Sequence, residues 1–265
     1  QDEKSLIIFN AHNIINNRNL LISNSQDSDF FLISNEDKKN TLNEIIDLFD
    51  SRLPKYGFKR DNIQILAPVY KGILGVDNLN IEIQKKIHGK LENGSYFQYG
   101  DVFYRVKDRI IQLKNNYNKN IMNGDIGEVI ATGSGFDELV DSSFDKQIIT
   151  RYLEKNNVNE LNCNIMIARF DDTIVNYSPA DGDECALAYS ITVHKSQGSE
   201  FDCVILPMTM DYYVNLTRNL IYTAITRAKK ICVIIGDTKA LFYGIKRNLA
   251  DRRFSHLAER LKKYE

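Results

Sequence analysis

Four segments hold residue types that, at their spacing, suit phosphate and nucleic-acid chemistry. The first is Thr192-Val193-His194-Lys195-Ser196-Gln197-Gly198-Ser199-Glu200-Phe201-Asp202, a polar stretch between two apolar runs. That position is a loop at the carboxyl end of a strand, where open α/β sheets bind ligands. Its many donors and Gly198, which permits close backbone approach, suit phosphates or ribose hydroxyls; a polar turn with a solvated Lys195 has the same composition. The second is Asn219 to Lys230, N-L-I-Y-T-A-I-T-R-A-K-K. Wound as a helix, it groups Leu220, Ile221, Ala224, Ile225 and Ala228 on one arc, puts Arg227 at the arc's edge beside Thr223 and turns Lys229 away. An arginine held at a packed edge can meet a phosphate through its planar fork at little further entropic cost. An arginine near a helix C-terminus that merely complements the dipole fits the same pattern.

The third segment, Ala67 to Asn80 (A-P-V-Y-K-G-I-L-G-V-D-N-L-N), joins a strand to a helix through glycines. Backbone amides at the helix start, with Tyr70, Lys71 and Gly72, could follow a single-stranded backbone and stack a base, or form an ordinary connection. In the fourth, Val102 to Gly127, arginines, lysines and tyrosines alternate around a tight Asn123-Gly124-Asp125 turn. A solvated sheet face explains that alternation equally well.

The elements that carry these segments follow from hydrophobic period. Residues 29–33 and 63–68 read as short strands, the second stopped by Pro68. Residues 36–56 and 76–87 read as helices. Between about 101 and 179 short β-prone runs (102–106, 109–113, 127–131, 164–170 and 173–177) alternate with Asn, Gly and Asp turns, as in a small inserted barrel. A stretch over about 134–161 reads as polar and helical, and the segment 134–165 has no assigned role. From 184 onward the spacing predicts strands over 186–193, 203–206 and 231–236, helices over 215–229 and 237–248, and a short basic helix over 252–263. The whole is an α/β chain.

Of 265 residues, 43% are hydrophobic, and 34 Lys and Arg face 35 Asp and Glu for a formal net charge of -1. Overall charge therefore gives no reason to expect nucleic-acid binding, which would need local clustering of the cations. Cys163, Cys185, Cys203 and Cys232 form no C-x-x-C pair and read as reduced thiols. No run reaches the length of a membrane span and no leader precedes Ser5, so a soluble, cytoplasmic protein cut from a longer chain is expected.

Taken in order, these segments resemble the C-terminal half of RecD-like superfamily 1 DNA helicases, the group that includes the exodeoxyribonuclease V alpha subunit. T-V-H-K-S-Q-G-S-E-F resembles that group's motif V and Y-T-A-I-T-R-A-K-K its motif VI. L-A-P-V-Y-K-G-I-L-G-V-D-N-L-N is similar to motif IV, and M-N-G-D-I-G-E-V to the entry of an SH3-like insertion. The resemblance implies a RecA-like parallel sheet flanked by helices, with residues 1–100 and 181–265 forming a second motor domain around an SH3-like barrel over 101–180. It implies that Arg227 is an arginine finger on the γ-phosphate of ATP, that Gln197, Gly198 and Glu200 face the nucleotide, and that Glu200 lies at the ribose. Tyr70, Lys71, Gly72, Thr192, His194 and Lys195 would face single-stranded DNA. No G-x-x-x-x-G-K-[ST] loop occurs in the sequence, so ATP and Mg²⁺ would be held mainly by an N-terminal RecA-like domain of the same longer chain. The expected activity is 5′-to-3′ unwinding at a duplex junction, in repair or recombination, with the direction resting on the family alone. Nuclease-subunit partners cannot be inferred from the sequence. The competing readings are a stand-alone nucleic-acid- or protein-binding module and a helicase of opposite polarity.

Overall fold

Apolar runs with both faces buried set the first sheet. Strands β1 (Phe30–Ser34), β2 (Ile63–Ala67), β10 (Ser190–Thr192), β11 (Phe201–Met208) and β12 (Ala228–Gly236) pair in parallel in the order β1-β12-β11-β2-β10. Every residue of β2 is buried, as in a sheet covered by helices on both sides. One helix group comprises α1 (Leu6–Ile15), α5 (Arg218–Ile225) and α6 (Thr238–Lys246). The other comprises α2 (Lys38–Asp47) and α4 (Val76–His88). Helix α2 continues through a π-helical turn, Leu48–Arg52, into α3 (Leu53–Lys55). The computed structural model describes residues 5–23, 25, 27–89, 96–133 and 165–248. The helix expected over 252–263 and nearly all of the 134–165 stretch lie outside them.

The second sheet is antiparallel. It is built from β5 (Arg109–Gln112), β6 (Ile126–Gly133), β7 (Ile165–Phe170), β8 (Thr173–Tyr177) and β9 (Cys185–Leu187), in the order β8-β7-β6-β5-β9. A separate hairpin, β3 (Phe97–Tyr99) and β4 (Val102–Tyr104), turns at Gly100. The tight turn expected at Asn123-Gly124-Asp125 is present, with Gly124 at φ 99° and its N–H bonded to the Gln112 carbonyl at 2.9 Å.

Three expectations need correction. The run read as one strand over 186–193 is two strands in different sheets, β9 pairing with β5 and β10 with β2. Buried amides impose the break: Asn80 Nδ2 donates to the Leu187 and Ser190 carbonyls (3.1 and 3.0 Å), and Gln64 Nε2 to those of Ala188 and Tyr189 (3.2 and 3.1 Å). The N-terminal segment, to which the hydrophobic period assigned no element, is helix α1. The Ser5 hydroxyl accepts from Ile8 N–H at 3.4 Å and the Asp29 carboxylate from Leu6 N–H at 2.9 Å, two of the first-turn donors a helix leaves unpaired. Finally, the helix expected over 215–229 ends at Ile225. Beyond it the β-branched run at 231–235 extends β12 back to Ala228, which pairs with Phe201, and Phe201 N–H bonds the Arg227 carbonyl at 2.9 Å.

The two sheets are joined through largely buried charged groups. Asp108, just before β5, is fully buried. Its carboxylate accepts from His88 Nε2 (2.7 Å), Tyr189 Oη (2.7 Å), Arg105 N–H (2.7 Å) and Gln84 Nε2. Arg109 reaches from β5 into the parallel sheet, donating to the Ile63 carbonyl at 3.0 Å and lying 5.8 Å from the Phe201 ring centroid. Burial pushes its guanidinium down to about 10, against the pull of Asp61 and Tyr189, so it stays cationic at neutral pH.

Candidate nucleotide and strand surfaces

Arg227 sits in the turn between α5 and β12, so it is not carried on the helix edge as expected. Hydrogen bonds hold it instead. Its Nε donates to the Thr223 carbonyl at 3.2 Å, Nη1 to the Ser199 carbonyl at 3.2 Å, and Nη2 to the Thr226 hydroxyl at 3.3 Å. A guanidinium has five N–H groups, so about two remain for an incoming anion. Glu200 is exposed and pairs with Lys229 at 3.2 Å, a surface contact of small energy, on the order of 1 kcal/mol or less. Gln197 and Gly198 are exposed. Gly198 has φ 89° and no atom within 4 Å of where a Cβ would stand, so its backbone is open to a ligand.

The other end of the same loop faces elsewhere. Thr192 is buried rather than presented to solvent: its hydroxyl caps the short 3₁₀ helix Val193–Ser196, accepting from Lys195 N–H at 3.3 Å. His194 is exposed. The Lys195 ammonium lies 5.8 Å from the ring centroid of Tyr70, a cation–π pair between the two sequence-selected loops. Tyr70, Thr192 and Lys195 line a cavity of about 820 Å³ that continues between α4 and the β3–β4 hairpin past Asn80, Gln84 and Tyr104.

In the third segment the first two amides of α4 are taken up by the loop that precedes it. Val76 N–H bonds the Val69 carbonyl at 3.0 Å and Asp77 N–H the Tyr70 carbonyl at 3.1 Å. Lys71 is almost fully exposed and pairs with Asp77 at 2.9 Å. Gly72 has φ 101°, and a Cβ there would come within 2.9 Å of Tyr212 Oη, so the loop closes over Tyr212 only with glycine.

Two surfaces therefore emerge, one around Arg227, Gly198 and Glu200 and one around Tyr70, Lys71 and Lys195. The loop from Thr192 to Phe201 belongs to both. Sequence reasoning missed Ser199, Thr226, Lys229 and Tyr212, whose partners are set by tertiary contacts that leave no local pattern. Cys185 and Cys203 are buried, which pushes both thiols up to about 12; they are protonated near neutral pH and poor nucleophiles. Among the described residues, no group of three His, Cys, Asp or Glu side chains could hold a metal ion, and no helix is long and apolar enough to cross a membrane.

Two family models match the chain: the UvrD-like helicase C-terminal domain over residues 187–235, and the ATP-dependent RecD-like DNA helicase SH3 domain over residues 79–144. The first contains the shared loop and Arg227; the second contains most of α4, the hairpin, β5 and β6. The ATP-dependent RecD2 DNA helicase of Deinococcus radiodurans is 31% identical over 178 residues, covering 67% of this chain and 20% of that protein. The RecBCD enzyme subunit RecD of Buchnera aphidicola subsp. Acyrthosiphon pisum is 31% identical over 213 residues, covering 80% of this chain and 29% of that protein. The chain thus spans less than a third of the length of these two curated relatives. Among solved structures, a Pif1 helicase from Bacteroides, in complex with ADP-AlF3 and ssDNA, covers all of this chain and 55% of its own at 18% identity, with a TM-score of 0.48. By its two domain matches and by relatives that cover most of its length, the chain is related to the RecD-like helicases, in the region that holds their UvrD-like C-terminal domain and SH3 domain.

Proposed function

We propose that this chain is the second motor domain of an ATP-dependent DNA helicase that moves 5′ to 3′, contributing an arginine finger and part of the single-strand track. Residues 1–100 and 181–265 form the motor domain in this reading, and 101–180 the SH3-like insertion. The observation that carries it is the loop from Thr192 to Phe201, which holds Arg227 at Ser199 and sets Lys195 against Tyr70.

The donor set around Arg227 suits the terminal phosphate of ATP presented by a neighbouring domain, and Glu200, once released from Lys229, suits the ribose hydroxyls. The described residues offer no ligand set for Mg²⁺, so that ion would be held by the neighbouring domain and no step here depends on it. Arg227 would neutralise charge on the transferring phosphoryl group and draw this domain toward its neighbour. Hydrolysis removes that attraction. The 192–202 loop, carrying Lys195, then shifts relative to Tyr70, alternating this domain's grip on the strand. The direction is inherited from the family and is read from unwinding of 5′-tailed against 3′-tailed duplexes.

Strand binding is tested in the longer protein. Tyr70→Ala should weaken single-stranded DNA binding by about 1–3 kcal/mol, the usual value of one base stacked on an aromatic ring. Lys195→Ala should weaken it at low salt and flatten the salt dependence by about 0.7 in log–log slope, one phosphate contact fewer on a single strand. Unchanged affinity and slope in both variants, measured by fluorescence anisotropy across a salt series, would remove the strand track from this surface.

A further inference from the structure

We propose that Thr226 is a positioning residue for Arg227, orienting the guanidinium toward the phosphate through its side-chain hydroxyl. This rests on the finger reading above and adds a residue to it.

The hydrogen bonds fix the direction of the hydroxyl. Thr226 Oγ1 has one proton, and it lies 3.0 Å from the Thr223 carbonyl, which can only accept. The hydroxyl therefore donates to Thr223 and offers its lone pairs to Arg227 Nη2, 3.3 Å away. The Thr223 carbonyl also accepts from Arg227 Nε at 3.2 Å. Thr223, Thr226 and Arg227 thus close a small ring of hydrogen bonds at the end of α5, and the ring fixes the plane of the guanidinium. The remaining bond, from Nη1 to the Ser199 carbonyl, belongs to the loop that also carries Lys195. It is the contact that can change as the strand is gripped or released, while the Thr226 contact is local to the turn. Thr226 is the C-cap of α5 at φ -70° and ψ -6°, a conformation open to any residue, so the backbone does not require threonine there. The hydroxyl is the feature that matters.

The test is steady-state, DNA-stimulated ATP hydrolysis by the longer protein. Thr226→Val removes the hydroxyl at constant shape, and Thr226→Ser keeps it. A finger free to leave its aim loses rate rather than ground-state affinity, and misplacement by about 1 Å costs roughly a hundredfold. Thr226→Val should lower kcat between roughly tenfold and a hundredfold with KM for ATP and DNA affinity unchanged, and Thr226→Ser should restore most of kcat. In an Arg227→Ala background, Thr226→Val should have no further effect, because its target is gone. If Thr226→Val does not fold, Thr226→Ala takes its place in the same cycle. Wild-type kcat in Thr226→Val beside a large loss in Arg227→Ala overturns this proposal and leaves the finger intact. An equal loss in both backgrounds assigns Thr226 a structural role and also overturns it. Little loss in Arg227→Ala itself means that the finger reading has failed, and this proposal with it.

Discussion

Arg227→Ala should lower DNA-stimulated ATP hydrolysis by the longer protein about 10³- to 10⁵-fold, which corresponds to roughly 4–7 kcal/mol of barrier. The expectation follows from three features. Arg227 is held by three hydrogen bonds and not by burial in the core, so truncation removes a charge without leaving a cavity. About two of its N–H groups remain free for an anion. The open Gly198 backbone lies on the same loop as its Ser199 partner. Single-strand affinity should stay within about twofold of wild type, because the proposed strand contacts, Tyr70 and Lys195, lie at the other end of the loop and act through separate groups. Arg227→Lys should recover little of the rate, since an ammonium lacks the planar fork. Hydrolysis within tenfold of wild type in Arg227→Ala, measured with saturating DNA, would show that this arginine does not meet the phosphate.

Asp108→Ala is the largest expected change in stability, a loss of about 3–5 kcal/mol in urea unfolding of the chain. The carboxylate is fully buried and takes four donors, from His88, Tyr189, Gln84 and the Arg105 backbone. Removing it takes the acceptor from all four in a largely buried space, at about 1–3 kcal/mol for each donor that finds no other partner, although Gln84 Nε2 keeps the Phe103 carbonyl. Asp108→Asn keeps the shape but turns an amide N–H₂ toward two of the donors, so it should recover only part of the loss. The affected bonds join α4 and the β9–β10 connection to the start of β5, so the parallel and antiparallel sheets should lose their mutual support together. A loss under about 1 kcal/mol in Asp108→Ala would mean that the hub carries little of the fold.

The parallel sheet was legible because its strands are short apolar runs with clear stops, such as Pro68 after β2. The β7–β8 hairpin was legible from the Asp171-Asp172 turn, where Asp171 takes φ 47°. Helix α1 escaped because its cap is completed by Asp29, distant in sequence. The β9–β10 break escaped because Asn80 and Gln64 impose it from other elements. The candidate site shows the same division. Residue types and resemblance selected Arg227, Lys195 and Tyr70, yet the helical period extended α5 too far, since pairing of β12 with β11 overrides helix propensity at Ala228. The supporting shell of Thr226, Ser199 and Lys229 has no signature of its own, being ordinary polar residues whose roles come from what folds against them.

The central claim is a division of labour, in which this chain supplies the finger and a strand contact while another domain holds the phosphates. It is tested most directly by ATP turnover, with Mg²⁺ and single-stranded DNA, of the 265-residue chain alone beside the longer protein. The account predicts no turnover above background by the chain and DNA-stimulated turnover by the longer protein. Turnover by the chain alone, abolished by Arg227→Ala, would contradict it.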